Sequence, residues 1–170
     1  IFNEFYHTHP DLRPAQPDVA NMLAQSDAAL LIGDTALKFM EVHEQPNIEN
    51  QKSLVRLGSE PLQVLDLAER WRVLTGLPFV FAFWAVRDGF KDDTIVDDLK
   101  RSRDFGVANI PTIAEKYSQS LQIKKEFVQE YLEKNVHYYM DQTCLDALQL
   151  FYEKAAHAGA LKSVRGPQFV

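Results

Sequence analysis

Asp27-Ala-Ala-Leu-Leu-Ile-Gly-Asp-Thr35 decides the reading of this chain: an apolar run closes on a glycine and passes straight into an amphipathic segment. Residues 28–32 carry no polar side chain, which predicts a strand covered on both faces. Gly33 permits close backbone approach, and Asp34 or Thr35 is placed to cap a helix over 35–40 whose apolar positions are Ala36, Leu37, Phe39 and Met40. The free N–H groups and positive dipole end of that helix face whatever lies beyond the strand end, where open α/β sheets bind ligands. Carboxylates and phosphates suit such a turn. An ordinary strand-to-helix turn with no ligand is the competing reading, and the residues hold the two in balance.

The chain has 170 residues, 46% hydrophobic and 25% charged, enough to bury a core in one domain or two small lobes. A formal net charge of −6 gives no general attraction for nucleic acid or anionic membrane, so neither is an expected partner and any anion needs a local site. Cys144 is the one cysteine and cannot close an internal disulfide. With no basic, apolar leader and no continuous spanning run, a cytoplasmic location is expected. The chain opens on Ile1, and its first residues read as the interior of a longer polypeptide.

Residues 1–6 read as the end of a helix, followed by an extended connector through Pro10, Pro14 and Pro17. A short helix is expected over 18–25, with Val19, Met22 and Leu23 on one side, and a short strand over 54–57. Asp66 opens a helix over 66–75, because Glu69 stands three residues on and Leu67, Trp71 and Leu74 recur at helical spacing; Gly76 and Pro78 stop it. Phe79-Val-Phe-Ala-Phe-Trp-Ala-Val86 reads as a long strand ending on Arg87, with Phe81, Phe83 and Trp84 in the core rather than on a ligand. Helices are expected over 94–105, 111–117, 123–132 and 143–158. Strand-to-helix units followed by a helical tail predict an α/β architecture.

Three ordered blocks carry a resemblance. Ser26 to Leu37, then Asp66-Leu-Ala-Glu-Arg-Trp71, then Leu74-Thr-Gly-Leu-Pro-Phe-Val-Phe-Ala-Phe-Trp-Ala-Val-Arg87 together resemble the chorismate dehydratase family of menaquinone biosynthesis. Tyr131-Leu-Glu-Lys-Asn-Val-His-Tyr-Tyr-Met140 and Ala147-Leu-Gln-Leu-Phe151 with Ala158-Gly159 look like that family's C-terminal helices. The resemblance implies a two-lobed fold like a type II periplasmic binding protein. On that reading 1–78 hold the remainder of the second lobe, with strand 28–32 and helix 66–75. Residues 79–170 hold a hinge-crossing strand and the helices that complete the first lobe. Family members are longer and begin with a strand and loop that this chain lacks, so catalysis is not expected from these residues alone.

The activity implied is loss of water from chorismate to give 3-[(1-carboxyvinyl)oxy]benzoate on the futalosine route, without metal or redox cofactor. Such chemistry needs donors for two carboxylates, removal of a ring proton and a dry cleft. Gly33, Asp34 and Thr35 are the expected substrate-binding turn. Arg87 is a further carboxylate partner, although a structural ion pair is the more common role for such an arginine. No proton acceptor stands out: Asp34 lies close but would repel a dianion, so a helix-capping role is preferred, and a substrate carboxylate can take the proton itself. The sister enzyme that forms 1,4-dihydroxy-6-naphthoate and a non-catalytic solute-binding protein for a small carboxylate are the alternatives. Oligomeric state is not legible.

Other chemistry-bearing residues read as structural. His7-Thr8-His9 lacks a third metal ligand and sits in a proline-bounded connector. His137 reads as packing, Cys144 as a small buried side chain, and Asp92, Asp93, Asp97 and Asp98 as charges at a helix start rather than a metal site.

Overall fold

A computed structural model describes residues 2–43, 54–57, 60–86 and 94–162. In chain order it contains α1 (Phe2–Tyr6), α2 (Val19–Leu23), α3 (Asp34–His43), β1 (Leu54–Leu57), β2 (Glu60–Gln63) and α4 (Leu67–Thr75). There follow α5 (Ile95–Ala108), α6 (Ile110–Leu121), α7 (Lys125–Glu130), a π-helical stretch Tyr131–Asn135, and α8 (Gln142–His157). These elements cluster into two compact units that interleave along the chain. One comprises Ile1–Leu12, Leu65–Phe90 and Tyr139–Val170, the other Arg13–Val64 and Lys91–Tyr138.

The first unit is built around Trp71. Asp66 starts α4 as expected: its backbone is extended and its carboxylate accepts the N–H groups of Ala68 and Glu69 at 2.8 and 3.1 Å. Gly76 ends the helix in the left-handed conformation, φ 74°, with its N–H donating to the Arg72 carbonyl. Between these caps the Trp71 ring is fully enclosed, and its indole N–H donates to the Pro78 carbonyl at 2.9 Å. Phe5, Phe79 and Phe151 meet that ring edge-on, with centroids 5.8 to 6.1 Å away. In α8, capped by the Asp141 carboxylate on the Cys144 N–H, the residues Cys144, Ala147 and Leu148 recur at helical spacing and are buried.

Helical packing also makes the core of the second unit. Ile110, Ala114 and Ser118, four residues apart on α6, are buried, as is Val128 of α7. The enclosed Ser118 hydroxyl donates to the Glu115 carbonyl at 2.9 Å, so its burial leaves no polar orphan. Gln122 closes α6 at φ 58° with its N–H on the Ser118 carbonyl. The strand expected over 54–57 is present and pairs antiparallel with β2, Leu54 opposite Gln63 and Leu57 opposite Glu60. β2 was not marked as a strand in the sequence; its Pro61 lacks a ladder donor, which a two-stranded hairpin tolerates because among the described residues both strands are edges.

Two expected strands form no ladder. Neither 28–32 nor 79–86 makes a backbone hydrogen bond among the described residues. A strand needs a neighbour to satisfy its backbone, and among the described residues neither segment is paired with one. The expected burial of the aromatic run fails with it: Phe81, Phe83 and Trp84 are 79%, 40% and 60% exposed. Only Phe79 of that run joins the Trp71 cluster directly. No helix among the described residues is long and apolar enough to cross a membrane.

Candidate functional site

The turn that opens α3 is where sequence and geometry meet. Gly33 lies at φ +67°, and a Cβ added there would have no heavy atom within 4 Å. Its conformation, not a close approach, is therefore what calls for glycine. The Leu37 N–H donates to the Gly33 carbonyl at 3.0 Å, which makes Gly33 the residue flanking the first helical turn and places Asp34 inside it. The capping role expected of Asp34 or Thr35 is thus not taken up: the flanking position falls on a residue without a side chain. The first-turn N–H groups of Asp34, Thr35 and Ala36 have no intrahelical acceptor, so the positive end of α3 is left for an outside acceptor.

Within the same unit α3 is braced by its other end. Glu41, on α3, accepts the Lys124 backbone N–H at 3.4 Å and lies 3.9 Å from the Lys124 ammonium, beside the turn between α6 and α7. Chemically the turn offers backbone donors and a helix dipole to a carboxylate; it offers no nucleophile, and the Asp34 carboxylate sits where it would oppose an anion. Gly33, Asp34 and Thr35 are brought together as consecutive residues. Arg87, the fourth expected contact, lies outside the described residues, as do Asp92 and Asp93.

One cluster escaped sequence reasoning. In the first unit the Glu4 carboxylate accepts from Lys154 Nζ and approaches His157 Nδ1, both at 2.9 Å, while Lys154 Nζ stands 4.9 Å from the centre of the Phe5 ring. Hydrogen bonds from Lys154 and then His157 hold the Glu4 carboxyl at about 2, far below its usual range. The partners are 150 and 153 residues apart, a separation with no local signal. Its geometry fastens α1 to α8.

The remaining residues fall out simply. Cys144 is buried, and burial raises its thiol pKa, as for an inert structural cysteine. His7 and His9 are exposed; Thr8 turns its N–H and hydroxyl back to the Phe2 carbonyl and ends α1. His137 is exposed, not packed in the core as expected, because the chain has left the helix by that point. The Tyr138 hydroxyl beside it donates to the Leu132 carbonyl at 2.9 Å, satisfying a π-helical acceptor, and burial raises its pKa. Asp97 and Asp98 occupy the first turn of α5, as expected of charges at a helix start.

Comparison with known proteins adds an independent line. Residues 1–157 match the family model described as menaquinone biosynthesis. Over 138 residues the chain is 32% identical to the chorismate dehydratase of Thermus thermophilus, a match covering 78% of this chain and 48% of that protein. The chain thus spans about half the length of this curated relative. No solved structure matches it.

Proposed function

The chain belongs to the menaquinone biosynthesis family, and from that premise we propose that it is the part of a chorismate dehydratase that carries a carboxylate-binding turn. The single observation that carries the reading is the similarity to the Thermus dehydratase across most of this chain. The open first turn of α3 after Gly33 is chemically consistent with it. The sister enzyme and the solute-binding protein are not favoured, since the relative bears the dehydratase name.

In this proposal the fold is a two-lobed sheet-and-helix enzyme of the periplasmic-binding-protein kind, working in the cytoplasm on the futalosine route. Chorismate loses a ring proton and a hydroxide, which leave together as water, and aromatisation supplies the driving force. The protein's task is to hold two carboxylates rigidly and exclude solvent while the proton moves. Backbone N–H groups at the start of α3 hold one carboxylate, against the opposing charge of Asp34 in the same turn. A substrate carboxylate accepts the ring proton, so Asp34 is not the base.

The test is chorismate turnover by a full-length form of the protein, followed by loss of chorismate absorbance with mass identification of the product. Formation of 3-[(1-carboxyvinyl)oxy]benzoate supports the proposal. Carboxylate binding without turnover contradicts it.

A further inference from the structure

The last turn of α3 reverses the usual arrangement of a surface helix. Glu41 is turned inward, with 13% of its side chain exposed, while Val42 beside it is 70% exposed. A carboxylate in that turn also opposes the negative end of its own helix, so α3 alone gains nothing from carrying it there. The partner explains the placement. Glu41 Oε1 accepts the backbone N–H of Lys124, 83 residues away, at 3.4 Å. Lys124 flanks the start of α7, and that start has no cap of its own. The Lys124 side chain offers no acceptor, and the third position of α7, where a capping box sets Glu or Gln to bind this same N–H, holds Phe127. Glu41 supplies from α3 the acceptor that α7 lacks locally. The Lys124 ammonium, 3.9 Å from the carboxylate and 78% exposed, adds little to the bond.

We propose that Glu41 is a positioning residue for the carboxylate turn at the opposite end of α3: by its hold on the α6–α7 junction it sets the first-turn N–H groups before a substrate carboxylate arrives. The inference rests on the dehydratase reading above and gives that site a residue that never meets the substrate. Asp34, Leu37 and Glu41 follow one another along one face of α3 at spacings of three and four, and Glu41 stands about 10 Å along the helix from Asp34. Donors held in place before binding surrender less of their interaction free energy to ordering. The bond at Glu41 therefore acts on affinity and leaves the chemical step alone.

Substitutions at Glu41 in the full-length form of the protein test this, read by amide exchange in α3, by calorimetric affinity for chorismate and by turnover kinetics. Glu41→Ala should speed exchange of the first-turn amides of α3 and raise both Kd and KM by about threefold to tenfold, the range for one lost hydrogen bond, with kcat unchanged. Glu41→Asp keeps the charge but falls one methylene short of the Lys124 N–H, and should behave as the alanine variant does. Glu41→Gln keeps an acceptor at full reach and should restore both constants. Unchanged Kd and KM in Glu41→Ala and Glu41→Asp overturn the proposal, as does a loss that Glu41→Gln fails to restore. A fall in kcat at constant KM overturns it too, since a positioning residue for binding does not act on the chemical step alone. Absence of chorismate binding in the unsubstituted protein is instead the failure of the dehydratase reading, and the exchange arm then still decides whether Glu41 fixes the turn.

Discussion

Gly33→Ala separates the conformational role of the α3 turn from its binding role. At φ +67° an added Cβ meets no heavy atom within 4 Å, so the penalty is purely conformational. An L-residue in the left-handed region costs about 1–2 kcal/mol. The reduced chain entropy of unfolded alanine offsets about 0.4–1 kcal/mol of that. A net loss of about 1 kcal/mol remains, a factor of about 5 in the local equilibrium. Because the Leu37 N–H bonds the Gly33 carbonyl, the loss should register as faster amide exchange in the first turn of α3, with α4 and α8 unaffected. If the turn holds a substrate carboxylate, chorismate affinity in the full-length protein falls by up to the same factor, since apparent affinity scales with the competent fraction. Titration calorimetry reads that change, and Gly33→Asn, better tolerated in this region, should lose less. Faster exchange with unchanged affinity would remove the turn from the site. Unchanged exchange would refute the strain argument.

Asp66→Ala removes the acceptor of two first-turn N–H groups and should cost about 1 kcal/mol, read as a lower urea midpoint in Trp71 fluorescence with an unchanged slope. Glu4→Gln tests the α1 to α8 clamp through its pH dependence. Because Glu4 is held at about 2 in the folded protein against an ordinary value of 4.5, its contribution is complete above 4.5 and is lost as pH falls from 4.5 toward 2. The variant should lose that acid-limb dependence, and identical acid-unfolding curves for the two proteins would contradict the clamp. Asp34→Asn should retain turnover in the full-length enzyme, with substrate binding equal or tighter once a negative charge is gone; lost turnover with normal binding would make Asp34 the base.

What could be read from the sequence was chemistry that acts within a few residues. Asp66 and Gly76 bracket α4 because a cap needs only a carboxylate two or three residues from an open N–H, and a left-handed stop needs only a residue without Cβ. The short helix at 19–23 was legible from Val19, Met22 and Leu23 on one side, and Asp18 caps it. The same reasoning misplaced the cap of α3, because Asp34 falls inside the first turn and its side chain cannot turn back to serve it. Hidden altogether were interactions that fix nothing locally, such as Glu4 with Lys154 across 150 residues. The two apolar runs show the limit most clearly. Their composition specifies the environment of a buried strand, and that environment is not set by the run itself.

That limit bears on the site itself. Gly33 follows directly on 28–32, so the first-turn donors of α3 are only as fixed as the segment that leads into them. A carboxylate held by backbone N–H groups gains from rigid placement, because donors that must be ordered on binding surrender part of their interaction free energy to that ordering. Glu41 and Lys124 restrain the far end of α3, while the near end hangs on a run with no backbone hydrogen bond among the described residues. Ladder pairing of 28–32 would therefore act on substrate affinity without touching the substrate. If the turn holds a substrate carboxylate, any condition that protects the amides of 28–32 should tighten that binding at Gly33.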